Sequence, residues 1–229
     1  MRIKQNKKKI IIILAIAVAA VISCVLVLTQ CTDIFSKTPV DTSHYINLDD
    51  GLKITLVGSY NGIYMEDGSG DKVDDVLSIV VLNTNEKDLQ YAEIYLKYED
   101  YTAEFTVTNL PTGQSALLLE KKRAISRDVK PDAYLLENEV FFKTPMDNME
   151  KVIQVSGVNG VANIKNISDD DIVGDVVIYF KNYAQDMFYG GITYRITIKD
   201  GLKAGELKQT NAGHFSPSES RIVSVNIVK

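Results

Sequence analysis

One loop of the sequence carries oxygen-bearing side chains at a spacing that could bind a hard cation. The loop spans residues 67–75, and its candidate calcium ligands are Asp67, Ser69, Asp71 and Asp75. Calcium takes about six to eight oxygen ligands, which alternating acidic and hydroxyl residues can supply. An EF-hand loop places Gly sixth and Glu twelfth, whereas counting from Asp67 gives Lys72 and Ser78. The pattern therefore favours a solvated hairpin loop, with calcium binding as the alternative.

Catalytic chemistry has little support in the sequence. The two histidines are His44 and His214, and no Gly-x-Ser-x-Gly motif places a nucleophile beside either of them. Both cysteines, Cys24 and Cys31, lie in or next to an apolar stretch near the N-terminus. We therefore predict no catalytic residues, no cofactor and no zinc site of the cysteine type.

Tyrosines are the residues best suited to binding. In the alternating segment 92–98, Ile94, Leu96 and Tyr98 share one parity, and the odd-numbered tyrosines on and beside this segment have the opposite one. A second aromatic group precedes Gly190-Gly191. Exposed tyrosine binds with little loss of conformational entropy. The predicted binding surface comprises Tyr91, Tyr95, Tyr101, Tyr183, Phe188 and Tyr189, and the alternative is that these residues form cross-strand pairs on a sheet.

The elements that would position these residues are β-strands. Residues 52–56 and 192–198 alternate between apolar and polar side chains, and residues 76–82 form an apolar run typical of a buried strand. Asn61-Gly62 predicts a hairpin turn. No segment after residue 47 has a helical period. The sequence therefore predicts an all-β fold.

An internal similarity indicates two copies of one β unit. Residues 79–98 resemble residues 162–183: each has a strand, an asparagine (Asn83 or Asn166), an acidic turn and a strand containing Ile-Tyr and Lys. We also match the strand after Pro111 with the strand after Pro217 as closing strands. The charged segment 124–133 then separates two antiparallel β-sandwich domains, residues 48–123 and 134–229.

The second unit resembles the small Ig-like sandwiches of bacterial extracytoplasmic proteins, of the FxLYD or CARDB kind. The turns Asn166-Ile167-Ser168 and Pro217-Ser218-Glu219-Ser220 carry the resemblance, which covers residues 150–229 and extends faintly to 48–122. It implies two tandem Ig-like domains in an extracytoplasmic setting. Domains of this kind bind or space other molecules, and the fold alone does not specify a function.

The N-terminal region predicts that the protein is located at a membrane. Residues 10–28 contain no charged side chain, and as a helix they would span about 28 Å, close to the hydrocarbon thickness of a bilayer. Residues 1–9 are basic, so this tail is expected to stay in the cytoplasm. We predict a single transmembrane helix, a stalk at 29–47 and domains outside the cell. The alternative is a lipoprotein signal ending at Ser23, because Val21-Ile22-Ser23-Cys24 resembles a lipobox and would leave Cys24 lipidated.

Charge restricts the class of partner. Residues 32–229 hold 20 basic and all 30 acidic side chains, a net charge of −10. Such a domain lacks the basic surface that nucleic acids require. The sequence thus favours a non-enzymatic, membrane-anchored interaction protein of a bacterial envelope, whose partner is another envelope protein or a wall polymer. The alternative is a lipoprotein accessory subunit that binds a ligand for a transporter or cell-wall enzyme.

Overall fold

The computed structural model describes residues 46–126, 129–158 and 160–228, and this part of the chain is all-β as predicted. Its strands are β1 Ile46–Asn47, β2 Leu52–Ile63, β3 Lys72–Asn83, β4 Leu89–Lys97, β5 Thr102–Leu110, β6 Ser115–Leu119, β7 Ala133–Phe141, β8 Ile153–Val158, β9 Val161–Asn166, β10 Asp175–Ala184, β11 Met187–Ile198, β12 Leu207–Asn211 and β13 Ser220–Val228. One 3₁₀ turn, Asp49–Gly51, precedes β2. None of the described residues forms a helix with the length and apolarity that a membrane crossing requires. The predicted tail, membrane helix and Cys24 lie outside the described residues.

The strands from β2 onwards fall into two sets of six with identical connectivity. In the first set, the neighbouring strands are β2-β3-β6 and β5-β4-β7; in the second, they are β8-β9-β12 and β11-β10-β13. Each set therefore joins its first, second and fifth strands into one sheet, and its fourth, third and sixth strands into another. Because β6 also pairs with β11, the strands β1-β2-β3-β6-β11-β10-β13 form one seven-stranded sheet. We call the sets the first and second sandwich.

Each sandwich encloses its own apolar core, because alternate residues of its strands point inward. In the first core, Ile94 and Phe105 are fully buried, and in the second core Ile164 and Ile178 are. β7 begins at Ala133, the last residue of the charged segment 124–133 that we predicted as a domain boundary. It nevertheless pairs with β4, with Leu136 opposite Ile94. Strand pairing therefore extends the first sandwich to Phe141.

A buried asparagine organises the same turn in both sandwiches. The Asn83 side-chain amide donates to the carbonyls of Lys87 and Leu110, both at 3.0 Å. Asn166 donates in the same way to Asp170 at 2.8 Å and Leu202 at 3.2 Å. Each side-chain oxygen also accepts the main-chain N–H two residues later, at 3.0 Å. The internal similarity found in the sequence thus corresponds to a shared hydrogen-bond pattern.

We expect Asn83→Ala and Asn166→Ala each to lower the free energy of unfolding by about 2 kcal/mol, because buried carbonyls would lose their donors. Chemical denaturation of the full chain in detergent measures this loss. Asn226→Ala is the matched control, since Asn226 is exposed on β13 and should change stability by less than about 0.5 kcal/mol. Equal losses for all three variants would contradict the assignment of the two turns.

Two details of the sequence prediction are wrong. Asn61-Gly62 does not form a hairpin turn: β2 continues to Ile63, and its register against β3 shifts between Tyr60 and Gly62 as in a β-bulge. The closing strands also do not correspond. The strand after Pro111 is the fifth of its set, whereas the strand after Pro217 is the sixth. Turn composition misled the match, because proline-led turns precede strands of either kind.

Candidate functional site

The outer face of the β5-β4-β7 sheet presents a hydrogen-bonded tyrosine cluster. Alternation along β4 buries Ala92, Ile94 and Leu96, so that the residues between them face outward. The Tyr91 hydroxyl donates to Glu93 Oε1 at 2.5 Å, and the Tyr95 hydroxyl donates to Glu93 Oε2 at 3.0 Å. Asn138 of β7 donates to the same Oε2 at 2.7 Å. We call Tyr91, Glu93, Tyr95 and Asn138 the tyrosine face.

The central carboxylate fixes the protonation of this face. Hydrogen bonds from Tyr91, Asn138 and Tyr95 hold the pKa of Glu93 below its usual value. The same bond to Glu93 raises the pKa of Tyr95 to about 12, and that of Tyr91 also rises. At neutral pH the face therefore presents two neutral phenol rings around one ionised carboxylate. The rings are held in place by bonds that do not depend on a ligand.

The other predicted binding residues have different environments. Tyr101 packs against the first core and stacks on Tyr98 at a ring-centre distance of 6.4 Å. Tyr183 is half-buried beneath the Arg221 guanidinium, which lies 3.5 Å from the ring centre. Phe188 is only 1% exposed and Tyr189 only 6%, so the expectation that these two form an exposed patch is wrong. Both residues are buried because β11 pairs in parallel with β6, which joins the two sandwiches.

The loop proposed for calcium is held by an arginine. Arg123 Nη2 donates to Asp67 at 2.8 Å and to Asp71 at 2.9 Å, and it thus lies between two of the four candidate ligands. Ser69 accepts the Asp71 main-chain N–H, and Asp75 accepts the Ser59 hydroxyl at 2.7 Å. Among the described residues, no three histidine, cysteine, aspartate or glutamate side chains are grouped as a metal would require. The guanidinium thus places a positive charge between the Asp67 and Asp71 carboxylates, and calcium binding stays a prediction.

A buried polar joint, which no sequence motif predicted, connects the two sandwiches. Lys181 of β10 is fully buried, and its ammonium donates to the carbonyls of Thr108, Gly191 and Ile192 at 3.0, 2.9 and 2.9 Å. Thr108 belongs to the first sandwich, and the other three residues belong to the second. A single side chain therefore joins main-chain groups of both sandwiches.

Glu66 provides the acceptor side of this joint. Its carboxylate accepts the N–H of Leu119 at 2.9 Å and of Gly191 at 2.8 Å, again one from each sandwich. Burial raises the pKa of Glu66, while burial lowers the pKa of Lys181 to about 7, an effect that Glu66 opposes. Main-chain groups surround both side chains, an arrangement typical of a structural joint.

One sequence signal could have located the joint. Gly190-Gly191 interrupts an otherwise apolar strand, and paired glycines inside a strand often mark a close approach of another backbone. The internal similarity aligns Lys181 with Lys97, but the two lysines have different environments. Lys97 is exposed at the end of β4, whereas its counterpart is covered by β5 and β11.

Comparison with protein-family models, curated proteins and solved structures found no match to this chain.

Proposed function

We propose that this chain is a non-enzymatic interaction protein of a bacterial cell envelope, anchored in the membrane by residues 10–28. Its basic tail, residues 1–9, lies in the cytoplasm, and two tandem Ig-like β-sandwich domains lie outside. The partner is another envelope protein or a wall polymer. The identical connectivity of the two sandwiches and their matching asparagine turns support the tandem arrangement.

The tyrosine face is the observation that carries this proposal. Tyr91 and Tyr95 offer two partly exposed rings, and Glu93 fixes both hydroxyls before any ligand arrives. A preorganised aromatic surface loses less conformational entropy on binding than mobile side chains do. Glu93 and Asn138 add hydrogen-bonding groups that a protein segment or a sugar hydroxyl could use.

Photo-crosslinking in living cells tests the proposal. We expect a photoreactive phenylalanine analogue in place of Tyr91 or Tyr95 to yield a discrete covalent adduct with one envelope component. The side chains at both positions face away from the first core, so the substitution preserves packing. Gel migration of the full chain, followed by mass spectrometry of the adduct, measures the result.

The control is the same analogue at Leu207, an exposed residue on the β12-β9-β8 sheet of the second sandwich. Adducts at 91 and 95 without an adduct at 207 would support the tyrosine face. The same products at all three positions, or none at any of them, would contradict it.

The motif Val21-Ile22-Ser23-Cys24 favours a second candidate, a lipoprotein accessory subunit that binds a ligand for a transporter or cell-wall enzyme. Mass spectrometry of the N-terminus of the native protein distinguishes the two. An intact segment from Met1 fits the transmembrane anchor, and a diacylglyceryl group on Cys24 as the first residue fits the lipoprotein.

A further inference from the structure

The two three-stranded sheets, β5-β4-β7 and β12-β9-β8, have four edge strands among the described residues. Natural sheets protect such edges with a covering element, charged side chains or a β-bulge. β5 is covered by β11, so closely that a Cβ at Gly191 would meet the carbonyl oxygen of Thr106. β7 carries Glu137 and Glu139 and pairs with β4 in an irregular register. β12 carries Lys208, so three of these edges have a protecting feature.

β8 has none of these features. It runs from Ile153 to Val158, contains neither a charged residue nor proline, and pairs with β9 in a continuous register. Within the described part of the chain, no strand pairs with its outer side. Val158, at the end of the strand, is 66% exposed. An uncharged edge of regular geometry is a template on which a further strand can pair.

The ladder between β8 and β9 determines which main-chain groups of β8 point to the outer edge. The Ile167 N–H donates to the Val152 carbonyl at 2.8 Å. Because bonding alternates along an antiparallel pair, the even-numbered residues of β8 bond to β9. The N–H and C=O groups of Val155 and Gly157, together with the C=O group of Ile153, therefore point outward.

Two β8 strands in antiparallel pairing match these groups when the two-fold axis lies at Val155. Val155 of each copy then exchanges both main-chain hydrogen bonds with its counterpart, and the Gly157 N–H reaches the Ile153 carbonyl. The side chains fit the same register, because Ile153 lies opposite glycine and Gln154 lies opposite Ser156. Gln154 and Ser156 are both exposed and can hydrogen-bond across the pair. β8 is thus complementary to itself.

Charge favours this edge over other surfaces for contact between two copies. Residues 32–229 have a net charge of −10, so two copies repel each other. β8 brings no charged side chain to the contact, whereas pairing through β7 would bring the glutamates of both copies together. We propose that two copies of this chain pair through β8, so that their β12-β9-β8 sheets join into one continuous sheet.

This inference goes beyond the proposed envelope function and depends on neither the membrane anchor nor the tyrosine face. Disulfide trapping of the full chain in detergent tests it, with Gln154→Cys/Ser156→Cys introduced after Cys24→Ser/Cys31→Ser has removed the native thiols. In the proposed register, positions 154 and 156 of opposite copies have Cα atoms about 4.5 Å apart, which a disulfide can span. We expect mild oxidation to convert most of the chain into a covalent dimer on a non-reducing gel.

Two matched controls test the register and the edge. Gln154→Cys alone should give about tenfold less dimer, because the two copies of position 154 lie diagonally across the pair at about 7–8 Å. Leu207→Cys/Gln209→Cys places the same pair of thiols at exposed positions of β12, the opposite edge of the same sheet. That variant should stay monomeric on the gel.

Sedimentation of the full chain in detergent measures the dimer without a crosslink. Val155→Pro removes an N–H that points outward, which an edge strand tolerates, and it should raise the dissociation constant of the dimer about tenfold or more. Ser156→Lys keeps every main-chain bond and adds a positive charge to each copy beside the axis. It should weaken the dimer about threefold and provides the test if the proline variant does not fold.

An absent covalent dimer would overturn the proposal. So would equal trapping through β12 or through Gln154→Cys alone, or a dissociation constant that neither Val155→Pro nor Ser156→Lys changes. Because no cell and no tyrosine substitution enters this experiment, its failure is distinguishable from failure of the photo-crosslinking test.

Discussion

Replacing Lys181 by methionine should lower the free energy of unfolding by about 3–5 kcal/mol. Methionine fills a similar volume but removes the ammonium group that donates to three carbonyls. It also leaves Glu66 without the nearby positive charge that opposes its desolvation. Because Thr108 and Gly191 belong to different sandwiches, we expect the lost stability to come from weaker packing between the first and the second sandwich. Urea denaturation of the full chain measures the change in the free energy of unfolding.

The chain supplies a matched control in Lys97→Met. Lys97 occupies the corresponding position in the first sandwich but is exposed, so its replacement should cost less than about 0.5 kcal/mol. The double variant Glu66→Gln/Lys181→Met should recover part of the lost stability, because it removes both buried charges. Equal effects of Lys97→Met and Lys181→Met would contradict the buried joint.

The pH dependence of the same variants provides an independent check. Burial lowers the pKa of Lys181 to about 7, whereas its ordinary value is 10.5. Between these values the unfolded chain binds more protons than the folded chain, so this lysine makes stability rise with pH. The stability difference between wild type and Lys181→Met should therefore grow from pH 7 upward. A difference that stays constant would show that burial does not perturb this amine.

Local pattern was sufficient to predict the all-β fold and to locate β2, β3, β4 and β11. The alternation of Ala92, Ile94 and Leu96 predicted which residues of β4 face the core. It also predicted that Tyr91 and Tyr95 lie on the outer face of β4, and the structure has them there. Residue parity predicts these orientations because a strand has only two faces, so that residues between buried ones must lie on the outer face. The asparagine turns were recognisable because their side chains bond to the nearby backbone.

Contacts between distant strands could not be obtained in this way. Phe188 and Tyr189 have the composition of an exposed hairpin tip, yet the parallel pairing of β11 with β6 buries both. Lys181 and Glu66 are 115 positions apart in sequence, and only the folded chain brings them together around Gly191. Sequence periodicity carries no information on which sheet edges meet, so the joint could be found only from the structure.

Gly191 is the residue on which this joint depends most closely. A Cβ atom at this position would lie 1.7 Å from the carbonyl oxygen of Thr106, far inside any contact that carbon and oxygen can make. The obstacle is backbone, so no side-chain rotation can relieve it. The N–H of Gly191 donates to Glu66, and its carbonyl accepts from Lys181 and from the Thr108 hydroxyl. Moving this residue would disturb all three bonds together.

We therefore expect Gly191→Ala to lower the free energy of unfolding by about 3–4 kcal/mol, as overpacking combined with the loss of a buried hydrogen bond. Denaturation of the full chain measures the loss. Gly213→Ala is the control, because a Cβ at Gly213 meets no atom within 4 Å and its backbone suits any residue. That substitution should leave stability unchanged or raise it slightly, since alanine restricts the unfolded chain. If Gly191→Ala changed the free energy of unfolding no more than Gly213→Ala does, β5 and β11 could not lie as close together as they do here. That result would contradict the buried joint.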